Sequence, residues 1–423
     1  MCAASHCQRP CGNDSPAPSS SRTGSPFLMT ITDTRQSAFP AAEYSERVER
    51  LRVRASAKGF DVLVVTDPKN IFYLTGYDAY SYYVPQSMVV PVASDAPVLV
   101  LRRQDVPAAL WTTHLDEDQI LGYGDEYLTG NLHPMEYVAE VLKSLGFGKA
   151  TIGIEFDGSS FSPRGMHVLE QALADATFAD MNRLVEWVRC VKSEREIQVM
   201  HEAGRISDHA METAFDAISL GIAESQVAAR TYAALVGGLH GIYGSAPWQP
   251  YMSSGQRTNT PHLRWSDEPY RMGRPTMIEL GGHRHNYAAG LSRTIFLGRP
   301  PADYRSLEGA VVEGLHAALP RLRAGNRAED VERVWRRTIE SRGFEKNYRI
   351  GYSIGISFPD TGWVERTISL APGDRTVLNP GMTIHLMLAV WLDRIGYSLS
   401  ETFVVGDGQP ERLSSLPWEL MVK

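Results

Sequence analysis

The sequence has few cysteines, no long apolar run and no excess of basic residues. Four cysteines occur in 423 residues, three of them within the first eleven. This is no disulfide framework for a chain of this size and favours a reducing compartment. No apolar run reaches the roughly 18 residues that a transmembrane helix needs. The chain has 49 acidic and 42 basic residues, so no basic surface is predicted to bind a phosphate backbone. These absences indicate a cytoplasmic protein that binds neither nucleic acid nor membrane.

The first 40 residues differ in composition from the rest of the chain. Residues 15–21 are Ser, Pro and Ala only, which cannot bury a core, so residues 1–40 are predicted to be a disordered extension. The extension lacks the apolar segment of a secretory signal, and Met29 is a second plausible start. Its cysteines do not follow the paired C-x-x-C spacing of zinc sites, and we expect no metal there. The residues concerned are Cys2, His6, Cys7 and Cys11.

Residues 41–184 alternate between helical and strand patterns, as in an open sheet covered by helices. An amphipathic helix is predicted from Ala41 onward, and the apolar run 61–65 is typical of a buried parallel strand. The segment Asp-Pro-Lys-Asn at 67–70 is predicted to be a turn. Further strands are predicted at 87–92, 96–101 and 151–156, and helices at 135–145 and 163–174. This pattern predicts a small α/β N-terminal domain.

Residues 185–423 predict an α+β domain in which helices surround a mostly antiparallel sheet. Ser193 is a typical helix cap, and acidic residues follow it, so a long helix is predicted to run to about residue 219. Further helices are predicted at 224–236, 303–323 and 328–342, and strands at 275–281, 291–297, 382–390 and 397–405.

Several short blocks occur in one order along this second half. They are Arg189–Ile197, Ser254-Gly255 with Pro261-His262, Ile278–Gly281 with Ser292–Thr294, Gly351–Gly355, Pro380–His385 and Leu399–Thr402. Together they resemble the methionine aminopeptidase, prolidase and creatinase superfamily, most closely its ectoine hydrolase and creatinase-like members. The resemblance implies a pita-bread catalytic domain preceded by a creatinase-type N-terminal domain. It also implies a homodimer in which the N-terminal domain of one subunit reaches the partner's active site.

The resemblance also locates the metal-ligand positions of the superfamily. Metal-dependent members hold two ions with Asp, Asp, His, Glu and Glu. By the resemblance these positions fall on Glu279, Gly290, Tyr352, His385 and Glu401. Only the last matches and the first changes conservatively, so we expect a metal-independent protein without cofactor. A mononuclear site of Glu279, His385 and Glu401 is a less favoured alternative.

The likeness to ectoine hydrolases rests on both halves of the chain. It is carried by Asp67-Pro68 with Tyr73–Asp78, by Pro261–Pro269, and by Glu365-Arg366-Thr367. One departure is Ala288-Ala289, where ectoine hydrolases are expected to have His-Cys. Loss of that polar pair changes the hydrogen bonds that the pocket can make. We therefore expect a related small amidine, guanidine or amide substrate rather than ectoine itself.

Hydrolysis of a C–N bond without a metal needs a base for water, support for the tetrahedral centre and a proton for the leaving nitrogen. His262, which creatinase keeps, is the predicted base. Tyr352 is predicted to hydrogen-bond an oxygen, and His385 to orient a carboxylate or donate the proton. Three carboxylates are predicted to bind a cationic amidinium: Glu279, Glu365 and Glu401. The predicted substrate-binding residues are Trp265, Trp363, Tyr77 and Asp78. By the resemblance Tyr77, Asp78 or Tyr83 would close the pocket of the partner subunit.

Each assignment has a structural alternative. Glu279 or Glu401 can pair with an arginine such as Arg293. Glu365 can be a solvated loop residue, and His385 a satisfied core histidine.

The function has alternatives as well. The first is a metal-dependent Xaa-Pro dipeptidase or aminopeptidase, against which Gly290, Tyr352 and His385 argue. The second is a non-catalytic pita-bread binding protein, which has no chemical need for His262, Glu365 or Glu401. A lyase acting on a sulfonium or similar solute is a further alternative, because the fold does not fix the reaction.

Overall fold

The protein contains two β-sheets, one in each half of the chain. The computed structural model describes residues 36–93, 96–158, 160–245, 248–359 and 361–423. The four N-terminal residues considered as zinc ligands, and most of the predicted disordered extension, lie outside these ranges. None of the helices in the described part of the chain combines the length and apolar composition that a membrane span needs.

The first half forms a six-stranded sheet of order β4-β3-β2-β1-β5-β6. Its strands are β1 (Val62–Val65), β2 (Ser87–Pro91), β3 (Val98–Arg102), β4 (Ile120–Tyr123), β5 (Thr151–Ile154) and β6 (Thr177–Asp180). Its helices are α1 (Ala41–Ser56), α2 (Pro68–Thr75), α3 (Val106–Thr112), α4 (Glu126–Thr129), α5 (Pro134–Ser144) and α6 (Pro163–Ala172). The predicted strand β1 is parallel to β5 but antiparallel to β2, so the sheet is mixed.

The predicted turn at 67–70 is the start of helix α2, which corrects the sequence prediction. The Asp67 side chain accepts a hydrogen bond from the backbone N–H of Lys69, and Pro68 occupies the first helical position. Asp-Pro is common both in turns and at helix starts. Neither position needs a backbone N–H donor, so proline, which has none, fits both. The helix ends at Gly76, whose φ is 82°, a conformation that glycine adopts without strain.

The second half forms a nine-stranded sheet with the main order β11-β10-β12-β13-β9-β8-β7. Helices α7 (Leu184–Arg189), α8 (Glu194–Ala217) and α9 (Glu224–Gly237) precede it, and α10 (Ala302–Ala318) and α11 (Ala328–Ser341) follow its first strands. The strands are β7 (Tyr251–Ser254), β8 (Arg274–Arg284), β9 (Tyr287–Leu297), β10 (Gly351–Ile354), β11 (Val364–Ser369), β12 (Thr383–Trp391), β13 (Gly396–Val404), β14 (Glu411–Arg412) and β15 (Met421–Val422). The predicted fold class is confirmed.

Strands β8 and β9 form one long hairpin, which the sequence prediction shortened. The prediction ended the first strand at Gly281 and began the second at Leu291. In the structure Gly281 and Gly282 lie within β8, where other groups pack closely on the backbone. A Cβ on Gly281 would lie 2.8 Å from the Trp363 ring, and a Cβ on Gly282 would lie 2.3 Å from the carbonyl oxygen of Ala203. The turn falls instead at His285 and Asn286, both with positive φ.

The two halves share one core and a buried ion cluster. Arg47 on α1 is completely buried, and its guanidinium lies 3.0 Å from Glu43 and 3.5 Å from Glu196 on α8. It also lies 4.4 Å from the ring centroid of Phe39. The hydroxyl of Tyr287 donates to Glu196 over 2.6 Å. Each half therefore supplies a carboxylate that neutralises the Arg47 cation. This shared contact fixes the position of the two halves relative to each other.

Candidate active site

The candidate site lies on one face of the large sheet. Directly paired residues point to the same face, and alternate residues along a strand share a face. Glu279 pairs with Ser292, and Ser292 pairs with Ser400. His385 pairs with Tyr352 on one side and with Thr402 on the other. Glu279, Gly290, Tyr352 and His385, four of the five positions carried over from the superfamily, therefore share one face.

His385 fills the space beside Gly290. A Cβ on Gly290 would lie 2.7 Å from both Nδ1 and Cε1 of His385, a distance that real Cβ atoms do not show. An aspartate at position 290 is therefore incompatible with this position of the imidazole ring. A carboxylate at 290 and this position of the His385 ring therefore exclude each other.

The imidazole of His385 is fully buried and neutral. It lies against the Tyr352 ring, with centroids 5.3 Å apart and planes tilted by 30°. Burial lowers its pKa to about 3. The Thr402 hydroxyl donates to the carbonyl of Gly290, so the 3.4 Å contact between Thr402 and His385 assigns the ring proton to Nδ1. Nε2 is then a lone-pair acceptor, and it contacts no polar atom of the described residues.

Tyr352 and Trp363 form the rest of this buried layer. The indole Nε1 of Trp363 donates to the Tyr352 hydroxyl over 3.1 Å, and burial raises the pKa of Tyr352. The guanidinium of Arg349 lies 4.5 Å from the centroid of the Tyr352 ring. Trp363, Tyr352 and His385 therefore lie together in one buried layer.

Glu279 and His262 line a cleft in front of this layer. The space beside Glu279 is about 20 Å³. Past Met387 and Trp391 it adjoins an open region of about 860 Å³, which His262 and Arg349 line. Glu279 is partly buried and makes no hydrogen bond or ion pair with a described residue. Burial raises its pKa to about 7, an effect that the charge of Lys346 reduces.

His262 lies on the wall of the same cleft, with its ring 5.0 Å from that of Tyr251. Its φ is 65°, a left-handed conformation that is uncommon for residues other than glycine and asparagine. Burial of one side of the ring lowers the pKa of His262, which keeps the imidazole neutral at pH 7. The predicted base and one predicted carboxylate therefore line the same cleft.

Glu401 is not part of the site, which corrects the sequence prediction. It pairs with Leu386, the residue that follows His385 in β12, and so points to the opposite face of the sheet. There its carboxylate is 2.9 Å from Arg293 and 2.8 Å from Arg412, and it accepts a hydrogen bond from Trp418. Ser400 is the residue of β13 on the site face. The structural alternative, pairing with Arg293, therefore holds for Glu401 and not for Glu279.

Glu365 is also placed outside the cleft. Its carboxylate lies 2.7 Å from the Lys192 ammonium and 3.4 Å from the Arg189 guanidinium, and all three side chains are 1% exposed. A carboxylate held by two buried cations has no free oxygen for a cationic substrate. Glu365 thus connects β11 to the segment around α7. This position does not fit the predicted role of Glu365 in binding an amidinium.

Three predicted substrate-binding residues also lie elsewhere. Trp265 packs against the apolar cluster of α8 and α9 on the opposite face of the sheet. Tyr77 is buried in the N-terminal half, with its hydroxyl 2.9 Å from that of Ser81. Asp78 is exposed near Asn286 of the β8–β9 turn. Tyr83 is 67% exposed and accepts a hydrogen bond from Arg102, which keeps it away from the cleft of its own chain.

Sequence reasoning missed three polar residues near the site. His283 is fully buried on the site face of β8, where burial lowers its pKa to about 4 and Nε2 contacts no described polar atom. Lys346 donates to the carbonyls of Met387 and Ala389 over 3.0 and 2.8 Å, and burial lowers its pKa to about 7. Arg349 is the third. Alternate residues of a strand share a face, so a predicted strand that ran past Gly281 would have placed His283 beside Glu279. Lys346 and Arg349 lie in a loop, which has no periodic pattern from which to predict them.

The donors present do not fit the dinuclear metal site of the superfamily. Gly290 and Ser400 supply no carboxylate, and Tyr352 replaces the histidine. Among the described residues, no group of three or more His, Cys, Asp or Glu side chains is close enough to hold one ion. The mononuclear alternative fails on geometry, because Glu401 points away from Glu279 and His385.

Comparison with known proteins gives the family. Residues 198–407 match metallopeptidase family M24, and residues 47–191 match the creatinase/prolidase N-terminal domain. Ectoine hydrolase of Halomonas elongata is 36% identical over 394 residues, 91% of this chain and 98% of that protein. The uncharacterized hydrolase/peptidase y4tM of Sinorhizobium fredii is 39% identical over 388 residues, again 91% and 98%.

Solved structures agree on the fold. Dipeptidase PepE from Mycobacterium ulcerans superimposes with a TM-score of 0.77 at 23% identity, covering 91% of this chain and 99% of that one. The prolidase from Thermococcus sibiricus gives 0.78 at 18% identity, with 90% and 99% covered. The expected resemblance is confirmed: the chain belongs to metallopeptidase family M24, with a creatinase/prolidase N-terminal domain and the pita-bread fold, and it is a hydrolase of C–N bonds.

Proposed function

We propose that this protein hydrolyses a C–N bond in a small, cationic, amino-acid-like solute with an amidine, guanidine or amide group, and that it does so without a metal. One observation carries the proposal. Glu279 forms no ion pair with a described residue and lines the same cleft as His262, on a sheet face whose other carried-over ligand positions hold Gly290, Tyr352 and His385. An unpaired carboxylate beside a neutral histidine suits a cationic substrate better than a dication.

Glu279 is the proposed binding group for the cation. A carboxylate accepts two parallel N–H bonds from an amidinium or guanidinium plane. Its raised pKa means that a bound cation is needed to keep it fully ionised at neutral pH. Substrate binding and ionisation of Glu279 are therefore coupled, and binding releases a proton whenever Glu279 starts protonated.

His262 is the proposed general base. As the water oxygen bonds to the carbon of the scissile C–N bond, His262 takes one proton from the water. It returns that proton to the leaving nitrogen as the C–N bond breaks. His385 and Tyr352 are proposed to form the buried layer behind the cleft, where they shape its floor without a direct contact to the substrate. A base with a pKa below 6.5 is deprotonated at pH 7 and ready for this role.

The relatives support the reaction class more than the substrate. The 36% identical relative is named an ectoine hydrolase, yet Ala288 and Ala289 are both buried, so their methyl groups cannot supply the polar contacts expected there. Ala288 lies directly across from His283, which offers a histidine from the neighbouring strand instead. We propose that the substrate is related to ectoine and forms hydrogen bonds with this different set of donors and acceptors. A cytoplasmic homodimer remains part of the proposal.

The first experiment combines metal analysis with an activity screen. Purified protein is analysed for metals by mass spectrometry and assayed with ectoine, creatine and a Gly-Pro dipeptide, each with and without chelator. We expect ectoine or creatine turnover in metal-free protein that survives chelation and is lost in His262→Asn. Stoichiometric metal together with chelator-sensitive Gly-Pro cleavage would show instead a metal-dependent dipeptidase.

A further inference from the structure

A second cavity lies between the two halves, on the far side of Arg349 from the active-site cleft. Its volume is about 650 Å³. Four cationic side chains line it: Lys69, Arg183, Arg349 and Arg366. Among the described residues that line it, Asp67 is the single acidic one. We call this cavity the cationic pocket.

The negative charge in and near the cationic pocket is already engaged. Asp67 caps α2 by accepting the backbone N–H of Lys69 over 2.8 Å. Arg183 forms an ion pair with Asp157 over 2.5 Å. Lys69, Arg349 and Arg366 form no ion pair with any described residue. Three positive charges against one carboxylate leave a net positive cavity.

Lys69 is the buried cation of the cationic pocket. Its side chain is 4% exposed, and its ammonium has one long contact, 3.4 Å to the carbonyl oxygen of Val364. Burial lowers the pKa of Lys69; the charge of Asp67 is the largest effect that opposes this shift, and the charges of Arg189 and Arg366 add to it. A further negative charge beside the ammonium would therefore reduce the cost of burying it.

Arg366 and Arg183 turn towards the cavity from left-handed backbone positions. Their φ angles are 55° and 58°, and arginine has no intrinsic preference for that region. The carbonyl of Arg366 accepts a hydrogen bond from Arg183 over 2.9 Å, which holds the two chain segments together. The fold therefore maintains a cluster of guanidinium groups and one buried ammonium around an open space.

We propose that the cationic pocket binds a small anion carrying two or three negative charges, such as a phosphate monoester or a di- or tricarboxylate. Guanidinium groups match both chemistries, because each presents two parallel N–H donors to a pair of oxygens. The proposal goes beyond the hydrolytic function, since neither Glu279 nor His262 takes part. Arg349 lies on the wall between the cationic pocket and the active-site cleft. An anion in the cationic pocket therefore attracts the Arg349 guanidinium, which also faces the substrate in the cleft.

Binding is tested by titration calorimetry on the full chain, with inorganic phosphate and, separately, citrate as probes in a low-salt buffer. We expect one site per chain that weakens as salt is added. Arg366→Asn removes a cation but keeps a residue that tolerates the left-handed backbone, and it should weaken binding about tenfold. Lys149→Gln is the matched control, because Lys149 pairs with Asp175 on the surface outside the pocket, and it should bind as the parent protein does.

A stability measurement keeps the test independent of folding artefacts. Lys69→Met replaces the buried ammonium by an apolar chain, so we expect the variant to melt at the same or a higher temperature in the absence of anion and to lose the anion-induced rise in melting temperature. Binding of phosphate alone identifies a phosphate ester as the ligand class, and binding of citrate alone identifies a carboxylate. No heat and no melting shift with either probe at about 10 mM, or equal binding by Arg366→Asn and the parent protein, would overturn the proposal.

Discussion

The imidazole of His385 stands where the side chain of residue 290 would otherwise project, and Gly290 is the residue that allows it. The ring atoms Nδ1 and Cε1 are each 2.7 Å from the position of a Cβ at 290. The two positions that the resemblance assigns to metal ligands thus form one packed contact. This contact explains why a single substitution cannot rebuild a metal site here.

The first prediction concerns this contact. Gly290→Ala should lower the free energy of unfolding by about 1–3 kcal/mol, because the methyl group overlaps a buried ring that has no free space. Combined with His385→Ala, the same change should cost less than the sum of the two single changes. Urea unfolding of the two single variants and the double variant measures this coupling.

The control for this cycle is Gly309→Ala. Gly309 lies on an exposed position of α10, and a Cβ there would meet nothing within 4 Å. It should stabilise the protein by about 0.5–1 kcal/mol through helix propensity. Additive effects of Gly290→Ala and His385→Ala would contradict the packing argument.

The second prediction separates a structural from a catalytic role for Glu401. Glu401→Ala leaves the guanidinium of Arg293 buried without its carboxylate, so it should cost about 3–5 kcal/mol of stability. The kcat of the folded fraction should remain close to that of the parent protein. Chemical unfolding and kinetics at a temperature well below the melting point measure the two quantities.

Glu268→Ala is the matched control, because Glu268 forms an exposed pair with Arg271 and should cost less than about 1 kcal/mol. A large loss of kcat in Glu401→Ala without loss of stability would instead assign Glu401 to the chemistry.

The third prediction concerns pH. The folded-state pKa of Glu279 is raised from 4.5 to about 7 by burial, so its contribution to stability is fully present below about pH 4.5 and is lost as the pH rises through 7. Glu279→Gln carries no ionisable group and should be more stable than the parent protein at pH 8, by about 1–2 kcal/mol after allowance for partial solvent access.

Unfolding free energies at pH 5 and pH 8 test this difference. Asp175→Asn, which changes an exposed carboxylate paired with Lys149, should show no such gain at pH 8. Equal pH dependence in Glu279→Gln and the parent protein would place the titration on another group.

The fourth prediction concerns how His262 is best replaced. Its φ of 65° penalises alanine by about 1–2 kcal/mol, whereas asparagine tolerates this region. His262→Asn and His262→Ala should both lose activity by about 10²–10⁴-fold, but only His262→Ala should also lose stability. If His262→Asn keeps full activity, His262 is not the base.

The sequence predicted most of the fold because its long elements carry strong periodic patterns. The helix from Ala41, the long helix after Ser193 and the strands at the C-terminus were predicted within a few residues of their observed bounds. The strands β7, β10 and β11 were missed, because they are four to six residues long and too short for a periodic signal.

The site was predicted less completely, and the reason is register. Positions 400 and 401 are neighbours in the sequence but lie on opposite faces of β13, so an error of one residue exchanges a site residue for a structural one. Glu365 shows a second limit. Its motif matched, yet its partners Arg189 and Lys192 lie more than 170 residues away in the chain, and only the tertiary fold brings them together.

Arg47 has a consequence for engineering. Its cation is neutralised by Glu43 from its own half and by Glu196 from the other, while the Tyr287 hydroxyl holds Glu196 in place. A foreign N-terminal domain that is joined at residue 185 and has no arginine in this position would leave the Glu196 carboxylate buried without a cation. Exchange of domains between relatives therefore has to transfer three separate pieces together: helix α1, the first turn of α8 and the tip of the β8–β9 hairpin.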